Sequence, residues 1–221
     1  MKAAVAFDMF GTLVHPFGSS ETLAAYTDQP GLLAQTWRRH QLEISWLLSI
    51  MDRYEDWSAV TAYALEVTLT DMGITMSNDQ RTELLAHGSR SQLFDDVPEA
   101  LARLTSAGFE MVVFSNGTPK ALASIVDETE IADYFVRLLS VDSVQMFKPA
   151  PVAYQYLAKQ LGLRHDQVWL VSANPFDCAG AKSSGLHVAK IERTPSFSYP
   201  FVDPPDLVVN NLIQLAEWLT S

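Results

Sequence analysis

The sequence predicts an α/β fold: a doubly wound, mainly parallel, Rossmann-like core sheet with a helical cap inserted after the first strand. Three observations support this. Short continuous apolar runs alternate with amphipathic stretches, as expected where strands are buried on both faces by crossover helices. Several of these runs end in polar groups beside a turn. The stretch from about Val14 to Arg90 breaks the alternation, with helical spacing and no convincing strand.

The first strand spans Ala3 to Phe7 and delivers Asp8 to its carboxyl end, before the turn Phe10-Gly11-Thr12. The insert follows, with apolar residues such as Leu33, Trp37, Trp46, Leu47, Ile50 and Tyr54 recurring at helical intervals. Further strands are predicted over Glu110 to Phe114, Phe135 to Val141, Val168 to Val171 and His187 to Ile191. Helices are predicted over Pro98 to Ala107, Pro119 to Asp127, Pro151 to Leu161 and Phe176 to Ser184. Thr118 is a natural cap ahead of Pro119, and Gly108, Gly162 and Gly185 fall just past helix ends. After a Pro-rich loop, an apolar helix ends near Trp218-Leu219. The predicted division is a core of residues 1–13 and 94–221 and a cap of residues 14–93.

Composition narrows the function. The 221 residues carry 15 Lys+Arg and 26 Asp+Glu, a formal net charge of −11, and 48% are apolar. Nucleic acid and anionic membrane surfaces are therefore not expected partners, and general disorder is excluded. Cys178 is the single cysteine, so no intrachain disulfide can form. The N-terminal apolar run is too short for a signal-peptide core or a bilayer span, and a soluble cytoplasmic protein is expected. The five histidines show no metal-ligand spacing.

Candidate chemistry collects at the strand ends, which converge in a parallel sheet. Asp8 ends the first strand, Ser115-Asn116 the second; Lys148-Pro149 follows the third, and Ser172-x-Asn174-x-x-Asp177 follows the fourth. Each alone is ordinary turn chemistry. Four at successive strand ends are hard to explain that way.

Taken in order, Asp8-Met9-Phe10-Gly11-Thr12-Leu13, Ser115-Asn116-Gly117, Lys148-Pro149 and Asp177 resemble the four motifs of the haloacid dehalogenase superfamily, over nearly the whole chain. Most of that superfamily are magnesium-dependent phosphatases with a second acid two residues after the nucleophile and another five before the last Asp. Here those positions are Phe10 and Ser172. The pattern instead resembles the L-2-haloacid dehalogenases, as do Trp37-Arg38-x-x-Gln41-Leu42-Glu43-x-x-Trp46-Leu47 and Ser140-Val141-Asp142-x-Val144-Gln145.

The resemblance implies hydrolysis of short L-2-haloalkanoic acids to D-2-hydroxyacids and halide, with inversion at C2 and neither cofactor nor metal. Asp8 would be the nucleophile that forms an aspartyl ester. Lys148 would hold Asp8 in its charged form, and Asp177 would orient Lys148 and help activate water. Thr12, Ser172 and Asn174 would add supporting hydrogen bonds, and Ser115 would receive the substrate carboxylate. Arg38 and Asn116 would cradle the halide, with Phe10, Leu42, Trp57, Tyr154 and Phe176 as pocket wall. Arg39 stands where relatives often have a neutral Gln, and reads either as a solvated charge or as a change at the pocket mouth. The implied partners are the haloacid, the halide and a second copy in a homodimer. Competing readings are a phosphomonoesterase of the same superfamily and a non-catalytic small-anion binder.

Overall fold

The computed structural model describes residues 4–17, 23–87 and 92–221. The chain forms strand β1 (Ala4–Phe7), then helices α1 (Pro30–Ile50), α2 (Trp57–Met72) and α3 (Asn78–His87). It continues through α4 (Val97–Ser106), β2 (Met111–Ser115), α5 (Pro119–Glu128), β3 (Arg137–Ser140), α6 (Pro151–Leu161) and β4 (Val168–Ser172). Helix α7 (Pro175–Ser183), β5 (His187–Ile191), β6 (Leu207–Val209) and α8 (Leu212–Thr220) complete it. The six strands lie in the order β3-β2-β1-β4-β5-β6, and every pairing is parallel.

Alternation along each strand explains the layering. Val5, Phe7, Met111 and Val113 face one way, against Leu101, Leu104, Ile125 and Leu215 of α4, α5 and α8. Ala6, Val112, Phe114 and Leu170 face the other way, against Tyr154, Leu157 and Ala181 of α6 and α7. With both faces covered, the central strand β1 is apolar throughout and its neighbours β2 and β4 are apolar up to their terminal serines. The predicted fold class is the observed one. The third strand is shorter than predicted, and β6 was not foreseen.

Thr118 caps α5, its side chain accepting the Ala121 amide at 3.2 Å, and Gly162 ends α6 with a left-handed φ of 66°. The insert helices have their own apolar cluster, centred on Leu33, Trp37, Ala64, Leu65 and Leu69. Trp37 Nε1 donates to the Thr61 carbonyl at 3.0 Å and Gln41 Nε2 to Thr61 Oγ1 at 2.9 Å, joining α1 to α2. Val14 and Leu93, before and after these helices in the chain, bridge antiparallel. No described helix is long and apolar enough to cross a membrane.

Candidate active site

Strand β1 lies at the sheet's centre, where the order reverses: β2 and β3 extend to one side, β4 to β6 to the other. Parallel sheets bind ligands outside the carboxyl ends of their strands at this reversal. Asp8 stands there, 7% exposed, with its amide donating to the Val171 carbonyl at 2.9 Å. Gly11 takes a φ of 87°, which lets the chain turn sharply beneath the Asn174 side chain.

Three donors converge on Asp8. Lys148 Nζ donates to Oδ1 at 3.2 Å, and Oδ2 accepts from Thr12 Oγ1 at 3.0 Å and Asn174 Nδ2 at 2.7 Å. The Lys148 ammonium also reaches Asp177 Oδ2 at 3.0 Å and the Phe114 carbonyl at 2.7 Å. Asp177 Oδ1 accepts from the Tyr154 hydroxyl at 2.8 Å. Lys148 and Asp177 are almost wholly buried.

Two carboxylates and one ammonium leave this dry cluster with an excess negative charge. Burial raises the Asp177 pKa and nearby Asp8 adds to that, while Lys148 pulls against both; the net direction is upward. For Lys148, burial pulls the pKa down, but Asp177 and Asp8 outweigh it and the ammonium is held more firmly than usual. Tyr154 is buried beside Asp177 and is held neutral as a donor.

Arg38 on α1 adds a second cation above this cluster. Its guanidinium lies 5.6 Å from the Trp57 ring centroid and donates to Gln41 Oε1 at 3.3 Å. Burial lowers its pKa against the opposing pull of Asp8 and Asp177. Among the described residues it forms no ion pair, so its charge remains available to a ligand. It lines a cavity of about 290 Å³ with Phe10, Gln41, Trp57, Thr61 and Ala121.

The motif set and this geometry agree with three comparisons. The model of a family described as haloacid dehalogenase-like hydrolase matches residues 2–185. The chain belongs to that family. The (S)-2-haloacid dehalogenase of Pseudomonas sp. (strain YL) is 32% identical over 96% of this chain and 92% of its own length. That of Xanthobacter autotrophicus is 35% identical over 87% of this chain and 76% of its own. The solved L-2-haloacid dehalogenase of Xanthobacter autotrophicus with chloropropionic acid covalently bound superposes with a TM-score of 0.90 at 29% identity, covering 99% of this chain and 98% of that one.

Within this family member, Asp8, Thr12, Lys148, Asn174 and Asp177 meet in one hydrogen-bonded cluster. Ser172 stands one step back, fully buried, its hydroxyl accepting the Asn174 amide at 3.1 Å. Ser115 is also fully buried, and its hydroxyl accepts the Gly117 amide at 3.1 Å. Asn116 Oδ1 accepts the Lys148 amide at 3.0 Å. Phe10, Arg38 and Trp57 line one cavity together.

Two of the expected wall residues, Tyr154 and Phe176, stand elsewhere. Tyr154 is fully buried behind Asp177, because its hydroxyl finds a carboxylate there. Phe176 packs edge-on to Trp46, with centroids 5.7 Å apart, and faces a separate apolar groove of about 510 Å³ shared with Pro149, Tyr199 and Phe201. Leu42 packs with the apolar cluster that includes Trp57 and Phe147. Arg39 adds nothing to the mouth, since it is exposed and paired with Asp71 at 2.9 Å.

Sequence reasoning missed Arg193. Its guanidinium donates to the Thr12 carbonyl and to Asp96 Oδ1, each at 2.6 Å, and stacks 4.0 Å over Phe94. It thereby braces the turn behind Asp8. No local signal marks it, because both partners are distant in sequence.

Proposed function

We propose that this protein hydrolyses short L-2-haloalkanoic acids to D-2-hydroxyacids and halide through an ester on Asp8. The observation that carries the reading is the Lys148 ammonium between Asp8 and Asp177, at 3.2 and 3.0 Å. It supplies positive charge beside the nucleophile; a phosphatase of this family needs, besides such a lysine, acids at two further positions. Those positions hold Phe10 and Ser172, which offer neither a proton for a leaving alcohol nor a carboxylate for a hard cation. Halide leaves without a proton, so the same residues suit carbon–halogen cleavage.

In the first step an Asp8 oxygen attacks C2 from the side opposite the halogen. The C–O bond forms as the carbon–halogen bond breaks, and the halide takes the bonding pair. Oδ2 already accepts from both Thr12 and Asn174, which leaves Oδ1, beside Lys148, with the freer lone pair. Arg38 and the Asn116 amide group receive the departing halide; the charge lies where negative charge develops. Ser115 and the backbone amides of the first turn take the substrate carboxylate.

In the second step water attacks the carboxyl carbon of Asp8, and the ester C–O bond to Asp8 breaks. One water proton ends on the hydroxyl of the product, and the other leaves through Asp177, which Lys148 and Tyr154 orient. Only the first step touches the chiral carbon, so configuration inverts once. We read residues 14–93 as a cap that closes this site and residues 1–13 and 94–221 as the catalytic core. A cytoplasmic location and a homodimer accompany the reading; light scattering in solution measures the latter.

The test is a single turnover with enzyme in excess in H₂¹⁸O, followed by mass analysis of the Asp8 peptide. One labelled oxygen in Asp8 and a D-2-hydroxyacid product are expected, with halide release unaffected by EDTA. Normal product with unlabelled Asp8 overturns the ester route, and strict Mg²⁺ dependence overturns the assigned chemistry.

A further inference from the structure

Lys148 lies between β3 and α6, outside any helix or strand, yet its ammonium must stay on two carboxylates. Local backbone hydrogen bonds in this segment run from Val144 to Val141, Gln145 to Asp142 and Ala150 to Phe147. The Phe147 and Lys148 amides are paired by side chains instead. Phe147 N–H donates to Ser49 Oγ at 3.2 Å, and Lys148 N–H donates to Asn116 Oδ1 at 3.0 Å. The Lys148 carbonyl accepts from Trp46 Nε1 at 3.2 Å. Ser49's own proton goes to the Ser45 carbonyl at 2.9 Å, which turns its lone pairs toward Phe147.

A further tie joins the Tyr54 hydroxyl to the Asp142 carboxylate at the start of the same segment. The rings of Tyr54 and Trp57 lie 4.9 and 5.6 Å from that of Phe147. Apolar packing alone is non-directional, whereas these bonds fix the orientation of three successive peptide groups, from Met146–Phe147 to Lys148–Pro149. Lysine has four rotatable bonds, so its aim depends on where its backbone is held.

We infer that helix α1 and the turn after it latch the segment carrying Lys148, making Trp46, Ser49 and Tyr54 positioning residues for nucleophilic attack by Asp8. The inference rests on the function proposed above. Because α1 also bears Arg38, a single helix sets both the site receiving the halide and the lysine facing the nucleophile. A misplacement of about 1 Å can slow a reaction by up to two orders of magnitude, and loss of one tie among several is expected to cost about tenfold.

The test compares Ser49→Ala, Ser49→Thr, Trp46→Phe and Tyr54→Phe with the unaltered protein on (S)-2-chloropropionate. It measures single-turnover ester formation, KM, thermal stability and the pH dependence of the rate. Ser49→Ala and Trp46→Phe are expected to slow ester formation about tenfold with KM within about twofold. The alkaline limb should move to lower pH, because a lysine drawn off Asp177 and Asp8 loses the attraction that holds its proton. Ser49→Thr restores the acceptor and should restore both rate and limb. Tyr54→Phe tests the latch from outside the cavity even if Trp46→Phe fails to fold. Unchanged rates and limbs overturn the latch, as does a loss that follows thermal stability and is not rescued by Thr. If the unaltered protein releases no halide, the proposed function itself falls, and the latch with it.

Discussion

Replacing Lys148 with Met removes the ammonium that lies between two buried carboxylates. The Lys148, Asp8 and Asp177 side chains are 1%, 9% and 0% exposed, so little water can replace the lost charge. Breaking a buried ion pair by removing one partner costs about 3–5 kcal/mol. At about 2–4 °C per kcal/mol for a chain of this size, the melting temperature should fall by about 6–20 °C near neutral pH. Asp177 already has a raised pKa from burial and from Asp8, with Lys148 opposing both. The variant loses that opposition, so the pKa climbs further. Its folded state then holds the proton more tightly than the unfolded state does. Stability must therefore fall as pH rises from the ordinary carboxylate value of 3.8 through the raised one. The deficit should shrink toward pH 4 by up to about 1.4 kcal/mol per pH unit. In the unaltered protein the Lys148 contribution is fully present below its ordinary value of 10.5 and is lost as pH rises through the raised folded value. Urea denaturation of both proteins from pH 5 to 8 measures the difference. Adding Asp8→Asn to the variant should recover part of it by removing one of the two stranded charges. A variant as stable as its parent at pH 8, or a deficit that widens as pH falls, would refute the charge argument.

Gly180→Ala would place a methyl 2.5 Å from the Tyr154 hydroxyl and 2.6 Å from Pro149 Cβ. Overpacking of this kind costs about 1–3 kcal/mol, and Tyr154 must shift from Asp177 to relieve it; an unchanged melting temperature and turnover would contradict the packing. Arg193→Met removes the donors to Thr12 and Asp96 and should cost about 1.5–3 kcal/mol, the range for a hydrogen bond to a charged group. Ester formation should slow as well; calorimetry with single-turnover kinetics checks both, and full stability with full rate would remove Arg193 from the account.

The strands were legible because apolar runs end abruptly at polar groups, as Phe7 does at Asp8 and Phe114 at Ser115-Asn116. Strand β6 was not: it has three residues, lies at the sheet edge with Val208 half exposed, and follows Pro204-Pro205. The polar cluster around Asp8 was legible because topology fixes where strand ends meet, whatever the distance in sequence. Side-chain direction was harder to read. Tyr154 looks like an aromatic wall residue, but its hydroxyl requires a partner once buried, and Asp177 lies within reach. Arg39 looks like a pocket cation because it adjoins Arg38, yet consecutive helical residues point about 100° apart. Trp46 and Ser49 read as part of a helical face, and nothing local shows that their polar atoms meet the Phe147–Lys148 peptides. Such contacts depend on the docking of segments about a hundred residues apart.

Under the proposed function, the position of β1 also governs when Asp8 becomes usable as a nucleophile. Val5 must pair with Met111 on one side, and Ala4 with Val168 on the other. The strand bearing Asp8 is therefore synthesised first but secured late. Helices α1 and α2 can pair through nearby residues such as Trp37 and Leu65 well before β4 has been made. Lys148, Asn174 and Asp177 arrive with the last third of the chain, so a nascent or truncated protein has the Asp8 carboxylate without the cluster that surrounds it. The central strand thus ties assembly of this cluster to completed, long-range folding; under the proposed ester route, an incomplete chain would lack the groups that clear the ester from Asp8.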